Sequence, residues 1–236
     1  IGRGGSLFVL GGPGRQELMN PIIEQFGVRF MPGQLVQPTP LLQADLIQSV
    51  PTDEGVAYWS DLDYIRKNEG CVAMPGCVGL EYTPIEGITV VPLFSTDTAG
   101  CWNRIVATDF VRDSVRYMPE TGDQAGIFTT TLALTRNVND LEQRVLIVGN
   151  TDFLSNGEFA TGRREVRNFN GILKHAAFYW LSHEELPVNT EGDAPIDRKL
   201  YVSEAAMEIW SIVFMVVIPV ILALAGIIIW VRRRGR

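Results

Sequence analysis

The sequence predicts an α/β domain with a mostly parallel sheet flanked by helices, followed by one C-terminal transmembrane helix. Three observations carry that prediction. Residues 7–10 (LFVL) form a short apolar run bounded by glycines, the length and pattern of a central strand buried on both faces. Residues 16–26 and 169–181 carry apolar side chains at helical spacing, and their alternation with strand-like runs argues a layered α/β architecture. Residues 209–231 then run without a single charge into Arg232, Arg233, Arg234, Gly235 and Arg236.

That last run has the length of a membrane span. At about 1.5 Å of rise per residue it covers a hydrocarbon core of about 30 Å. Trp210 and Trp230 bracket it where indoles favour the two interfaces, and Pro219 predicts a mild kink. Arginines beside a span stay cytoplasmic, so the carboxyl end is expected inside and everything before residue 209 outside the cytoplasm. Four of the 20 basic residues lie in the tail, which leaves 16 against 27 acidic ones and a net charge of −11 in residues 1–208. Such a surface repels phosphate backbones and anionic headgroups, so no nucleic-acid partner is expected and the bilayer is met through the span.

Along the chain, Gly11-Gly12-Pro13-Gly14 turns LFVL into a helix over 16–26 that carries Leu18, Ile22, Ile23 and Phe26, and Gly27 closes it. Residues 27–30 start a second strand. Residues 32–51, with four prolines, read as an irregular excursion. A strand is expected over 56–59, a helical turn over 62–68 and a buried strand over 71–74. In residues 88–93 (ITVVPL), Pro92 places the strand's end or an edge. Residues 126–135 (GIFTTTLALT) alternate apolar residues with threonine, the pattern of a half-exposed antiparallel strand; residues 137–140 turn, and 143–148 (QRVLIV) return. The helix over 169–181 is expected to point Ile172, Leu173, Ala176, Phe178 or Tyr179, and Trp180 inward. From 187 to 199 the composition turns polar, with two prolines and no periodicity, the mark of a tether. The boundaries drawn are an extracytoplasmic domain over 1–186, the tether over 187–204, the span over 205–231 and a cytoplasmic basic tail over 232–236. The opening residues look like a chain entering a strand through a glycine turn, as in a piece of a longer protein.

Three cysteines are too few for a disulfide framework. One bridge, Cys71 to Cys77, is compatible with an oxidising compartment. With two histidines and no paired C-x-x-C, no metal site and no cofactor are expected. No G-x-x-x-x-G-K-[ST] occurs, so the chain is not itself an ATPase of that kind.

Residues 149–156 (GNTDFLSN), then Asn168-Phe169, then a helix ending Trp180-Leu181, a polar tether and a closing span with basic residues, appear in an order that resembles the GldG-like family. The opening GGSLFVL, Asn20-Pro21-Ile22-Ile23 and Gly27-Val28-Arg29-Phe30 extend the resemblance over the whole chain. That family comprises extracytoplasmic auxiliary domains of bacterial ABC transporters related to the gliding-motility transporter. The resemblance implies a fold similar to class I glutamine amidotransferases and a non-catalytic function through protein or substrate contacts. It further implies a permease and a separate ATPase subunit as partners, and a bacterial inner membrane as the location, with the N-terminal domain in the periplasm.

Gly76-Cys77-Val78-Gly79 is the nearest approach to a nucleophile elbow, and His183-Glu184-Glu185 has the H-x-E spacing of glutamine amidotransferases, but Pro75 stands where the elbow has glycine. No catalytic residue is therefore assigned; a cell-envelope thiol hydrolase using Cys77 and a ligand-binding sensor module stand as alternatives. Asp152 reads either as a contact residue at the carboxyl end of a strand or as a loop cap, a task Asn150 and Ser155 also suit. Asp152, Ser155 and Asn156, with Arg163 and Arg164 of a small basic cluster that includes Arg167, are the candidate binding residues. Gly11-Gly12-Pro13-Gly14 is read as a plain turn, because Pro13 lacks the N–H a phosphate cradle uses.

Overall fold

Residues 145–148 (VLIV) are apolar without interruption because both faces of that stretch are buried: Val145 and Ile147 enter one core, Leu146 and Val148 another. The computed structural model describes residues 1–40, 42–97, 100–110, 115–160, 166–186 and 204–234. They fall into two units, Ile1–Val188 and Asn189–Arg236.

In chain order the first unit runs β1 (Leu7–Leu10), α1 (Gln16–Ile23), β2 (Val28–Phe30), β3 (Gln34–Val36), β4 (Leu46–Pro51), α2 (Asp53–Tyr58), α3 (Asp61–Lys67) and β5 (Val72–Pro75). It continues with β6 (Leu80–Tyr82), β7 (Ile88–Thr96), β8 (Trp102–Arg104), β9 (Gln124–Ala125), β10 (Thr129–Val138), β11 (Leu141–Val148), α4 (Asn156–Ala160) and α5 (Asn170–Leu181). An eight-stranded sheet has the order β1-β11-β10-β7-β4-β5, with β6 joined to β10 and β2 to β6; β3, β8 and β9 form a small second sheet. One core holds Val9, Ile23, Phe26, Val28, Phe30, Leu132 and Leu134. The other packs α3 and α5, through Leu62, Ile65, Leu173, Ala176 and Ala177, against Ile47, Met74, Phe94 and Ala133. Alternate residues of β10 and β11 thus serve opposite layers, as the two-residue period of a strand requires.

The sheet is mixed, and the expectation of a mostly parallel one is corrected. Among the named strands, β1 with β11 is the parallel pair; β10 with β11, β10 with β7, β4 with β7, β4 with β5, and β2 with β6 are all antiparallel. A parallel neighbour needs a crossover connection. Here β10 and β11 are joined by a tight turn, with Asn139 and Asp140 both at positive φ (52° and 63°), the backbone of a type I′ hairpin. Between β4 and β5 stand two short helices instead of a single crossover helix.

Several local expectations change with the sheet order. LFVL is an edge strand, with only Val9 fully buried, since β11 is its one partner. Residues 56–59 lie in and just after α2, because Thr52 caps that helix by accepting the Gly55 N–H (2.8 Å) and Asp53 and Glu54 fill its first turn. The excursion over 32–51 contains β3 and β4. Strand β10 is central and mostly buried: the Thr130 hydroxyl pairs with Ser49, which lets a polar side chain sit inside without facing water. Pro92 lies within β7, not at its end, where the pairing with β10 slips register. A bulge is where a strand tolerates the missing N–H. In α1, Leu18 is exposed, while Asn20, Ile23 and Phe26 of α1 and its closing turn point inward and Gly27 (φ 72°) ends the segment as expected. In α5 Leu173, Ala176 and Ala177 are buried, whereas Phe178 and Tyr179 remain about half exposed.

The second unit is a helix, α6 (Glu204–Ile212), a π turn (Val213–Val217) and α7 (Ile218–Arg234). Over Ala206–Arg234 it is long and apolar enough to cross a membrane. The π turn lies directly before Pro219, whose ring and missing N–H disrupt the ladder of the preceding turn. Arg234 lies over the Trp230 ring at 4.9 Å, a cation–π contact at the basic end. Residues 187–203 of the expected tether lie outside the described residues.

Candidate functional site

The residues singled out at 149–156 gather where β11 ends. Gly149 is packed so tightly against the Val78 carbonyl that a Cβ there would overlap it, and the two segments are tied by the Val78 N–H donating to Gly149 O (2.8 Å). Asn150 is buried and does the capping: its Nδ2 donates to Pro75 O, and its Oδ1 accepts the Phe153 N–H (2.6 Å). Phe153 is thereby seated in the core as the middle of a 3-10 turn over Asp152–Leu154. The same junction binds the start of α5. Asn170 Nδ2 donates to Ala73 O (2.9 Å) and Phe153 O (3.0 Å), its Oδ1 accepts the Ala73 N–H (2.8 Å), and Asn168 Oδ1 accepts the Asn170 N–H (2.8 Å). Asn168 therefore supports the helix start from just before it, and Asn170, which no sequence signal singles out, carries the junction.

Asp152, Ser155 and Asn156 sit on the outside of this turn. Asp152 and Asn156 are exposed and Ser155 is half-buried; Ser155 Oγ accepts the Glu158 N–H at 3.4 Å, while the Asp152 carboxylate takes a long bond from Thr151 Oγ1 (3.4 Å). The loop-capping role read for Asp152 belongs to Asn150. Among the described residues no group of His, Cys, Asp or Glu is arranged to hold a metal. Arg163 and Arg164 lie outside the described residues. Their neighbour Arg167 donates from Nη1 to Asn68 O (2.9 Å).

All three cysteines are buried and free, so no bridge joins Cys71 to Cys77. Cys77 Sγ contacts Met74 Sδ (3.9 Å) and Val78 O (3.4 Å), and burial pushes its thiol far above the ordinary range. Burial raises Cys71 to about 12. His175, stacked on Tyr179 (6.3 Å), and His183 are both exposed.

Beside the carboxyl end of β1, the glycine turn borders a cleft of about 340 Å³ lined by Pro13, Gly14, Gln16, Gln34, Arg104 and Thr108. Arg104 is buried there with Asp123 3.7 Å away and donates to Arg116 O (2.7 Å), so its charge is largely answered within the protein. Asp152, Ser155 and Asn156 do not line this cleft. Comparison with protein-family models, curated proteins and solved structures gave no match for the chain.

Proposed function

We propose that the chain is a non-catalytic, membrane-anchored auxiliary component of a bacterial ABC transporter of the GldG-like kind. Its α/β domain works in the periplasm through contacts with a permease or an envelope substrate, in an assembly that also includes a separate ATPase subunit. The observation that carries this reading is the order of parts: an acidic α/β unit, then an apolar helix of membrane length that runs into Arg232, Arg233 and Arg234. The positive end fits a cytoplasmic carboxyl terminus. Support for the amidotransferase-like fold comes from the β1, α1 unit and the parallel pairing of β1 with β11, while the antiparallel remainder departs from it.

A thiol-enzyme reading has less support. A cysteine nucleophile requires a base within hydrogen-bond reach. Cys77 has sulfur and carbonyl neighbours instead, in a buried position that favours the protonated thiol. Affinity purification of the tagged chain from solubilised bacterial membranes tests the transporter reading. Recovery of a permease and an ATPase in constant ratio is expected, and recovery of the chain alone under mild detergents would overturn it.

A further inference from the structure

Towards the amino end of β11, away from the Asn150 turn, a second cleft of about 330 Å³ opens between α2, α5 and the sheet. Its walls include Tyr58, Trp59, Tyr179 and Trp180, with Asp61 and Glu184 beside them. The rings touch one another: Trp59 and Trp180 lie 5.5 Å apart at 60°, Tyr58 and Trp180 6.2 Å apart at 73°. Arg144 completes the wall, with its guanidinium 5.5 Å over the Trp180 ring, one N–H on Trp180 O (2.9 Å) and another on Glu142 (2.6 Å). Trp59 Nε1 is buried without a hydrogen-bond partner among the described residues. Tyr58 and Tyr179 keep 38% and 40% of their surface exposed, so the platform is open to solvent.

We propose that this cleft is a binding site for a neutral saccharide of one or two pyranose rings. A pyranose has an apolar face of C–H groups that packs on an aromatic ring and a rim of hydroxyls, each both donor and acceptor. Asp61 and Glu184 offer acceptors and Arg144 and Ser60 offer donors around the aromatic floor, which is the mixture a hydroxyl rim needs. The volume lies at the small end of ligand sites, near about 300 Å³. Two other ligand classes fit less well. An ammonium ligand needs rings spaced to box it in, whereas these rings pack on each other and Arg144 already covers Trp180. A phosphate or carboxylate would meet Asp61 and Glu184 on an acidic domain. This assignment is independent of the transporter reading and stands whether or not a permease is found.

The test uses the full chain in phospholipid nanodiscs, which avoid glycoside detergents. Calorimetric titration with maltose, cellobiose and N,N′-diacetylchitobiose is expected to give saturable binding to at least one, with a Kd of about 1 mM or tighter. The exposed pair Asp61→Asn and Glu184→Gln should weaken it at least about tenfold, while Asp152→Asn, at the other end of β11, should leave it unchanged. Thermal melting of each variant confirms folding. The proposal is overturned by no saturation up to about 50 mM for all three sugars. It is equally overturned by saturation with choline chloride alone, or by sugar binding indifferent to Asp61 and Glu184.

Discussion

The side chain of Asn170 exchanges two hydrogen bonds with the backbone of Ala73, 97 residues away, accepting its N–H at 2.8 Å and donating to its carbonyl at 2.9 Å. Strand β5 ends the sheet, so Ala73 would otherwise present unpaired groups at a buried edge; the amide takes the place of a missing neighbour strand. Asn20 does the same for Phe30 of β2, accepting its N–H at 2.8 Å and donating to its carbonyl at 3.3 Å. Both strands have a single partner in the sheet, and each is finished by an asparagine from the adjoining helix.

Replacing Asn170 therefore strands several buried groups at once. Asn170→Ala leaves Ala73 N–H, Ala73 O and Phe153 O without partners, which should cost about 3 kcal/mol. For a domain of this size that lowers Tm by about 6 to 12 °C. Asn156→Ala, at an exposed position of the same loop system, should stay within about 0.5 kcal/mol. Differential scanning calorimetry of the two variants decides the matter, and equal melting points would show that the Asn170 bonds contribute nothing net.

Gly149 gives a sharper contrast. An added methyl meets the Val78 carbonyl, part of a backbone that is itself held by Gly149, so the clash cannot be relieved by rotating a side chain. Gly149→Ala should destabilise by about 2 kcal/mol or more. Gly171, near the start of α5 with open space around its Cα, should accept alanine with no loss and up to about 1 kcal/mol gained from helix propensity. Urea midpoints of the two variants are expected to move in opposite directions.

Much of the fold is legible in the residues, and what is not shares a cause. The Asn139-Asp140 turn and the apolar VLIV run over 145–148 announce themselves because turn chemistry and double burial are local signals. Helix α2 was missed: the apolar Val56 and Trp59 read as strand, although Thr52 and the acidic first turn carry a helix signal. Direction of pairing was not legible. Whether GIFTTTLALT faces water depends on which strands flank it, and Ser49, the partner of its Thr130, comes from 81 residues upstream. The edge-capping asparagines and the aromatic cleft have the same origin: Tyr58 and Trp59, Arg144, and Trp180 belong to three distant segments that the sheet order brings together. Asn150 and Asp152 stand two residues apart in one motif, and only the depth of burial separates the cap from the bystander.

The buried thiols set an alkaline limit. In the unfolded chain a cysteine loses its proton near pH 8.5, whereas burial raises Cys71 to about 12 and Cys77 further still. The folded state then binds more protons than the unfolded one, so this stability is fully present below about pH 8.5 and falls as pH rises towards the folded values, by at most about 1.4 kcal/mol per unit for each thiol. Cys71→Ala with Cys77→Ala should flatten the decline in Tm between pH 8.5 and about 10 relative to the parent chain. An unchanged slope would mean the thiols are not buried as described.

The same burial predicts the chemistry of the cysteines at neutral pH. Only the thiolate attacks an alkylating agent, and a thiol that is both shielded and held protonated offers almost none. In the folded chain Cys77 should resist iodoacetamide at pH 7.5 for hours, and 6 M guanidinium should make it react at the rate of a free cysteine. Peptide mass mapping after each treatment reads Cys77 directly. Rapid labelling of Cys77 in the native protein, especially if His183→Ala slowed it, would revive a thiol-enzyme function and displace the non-catalytic reading, because no structural role requires an activated sulfur at that turn.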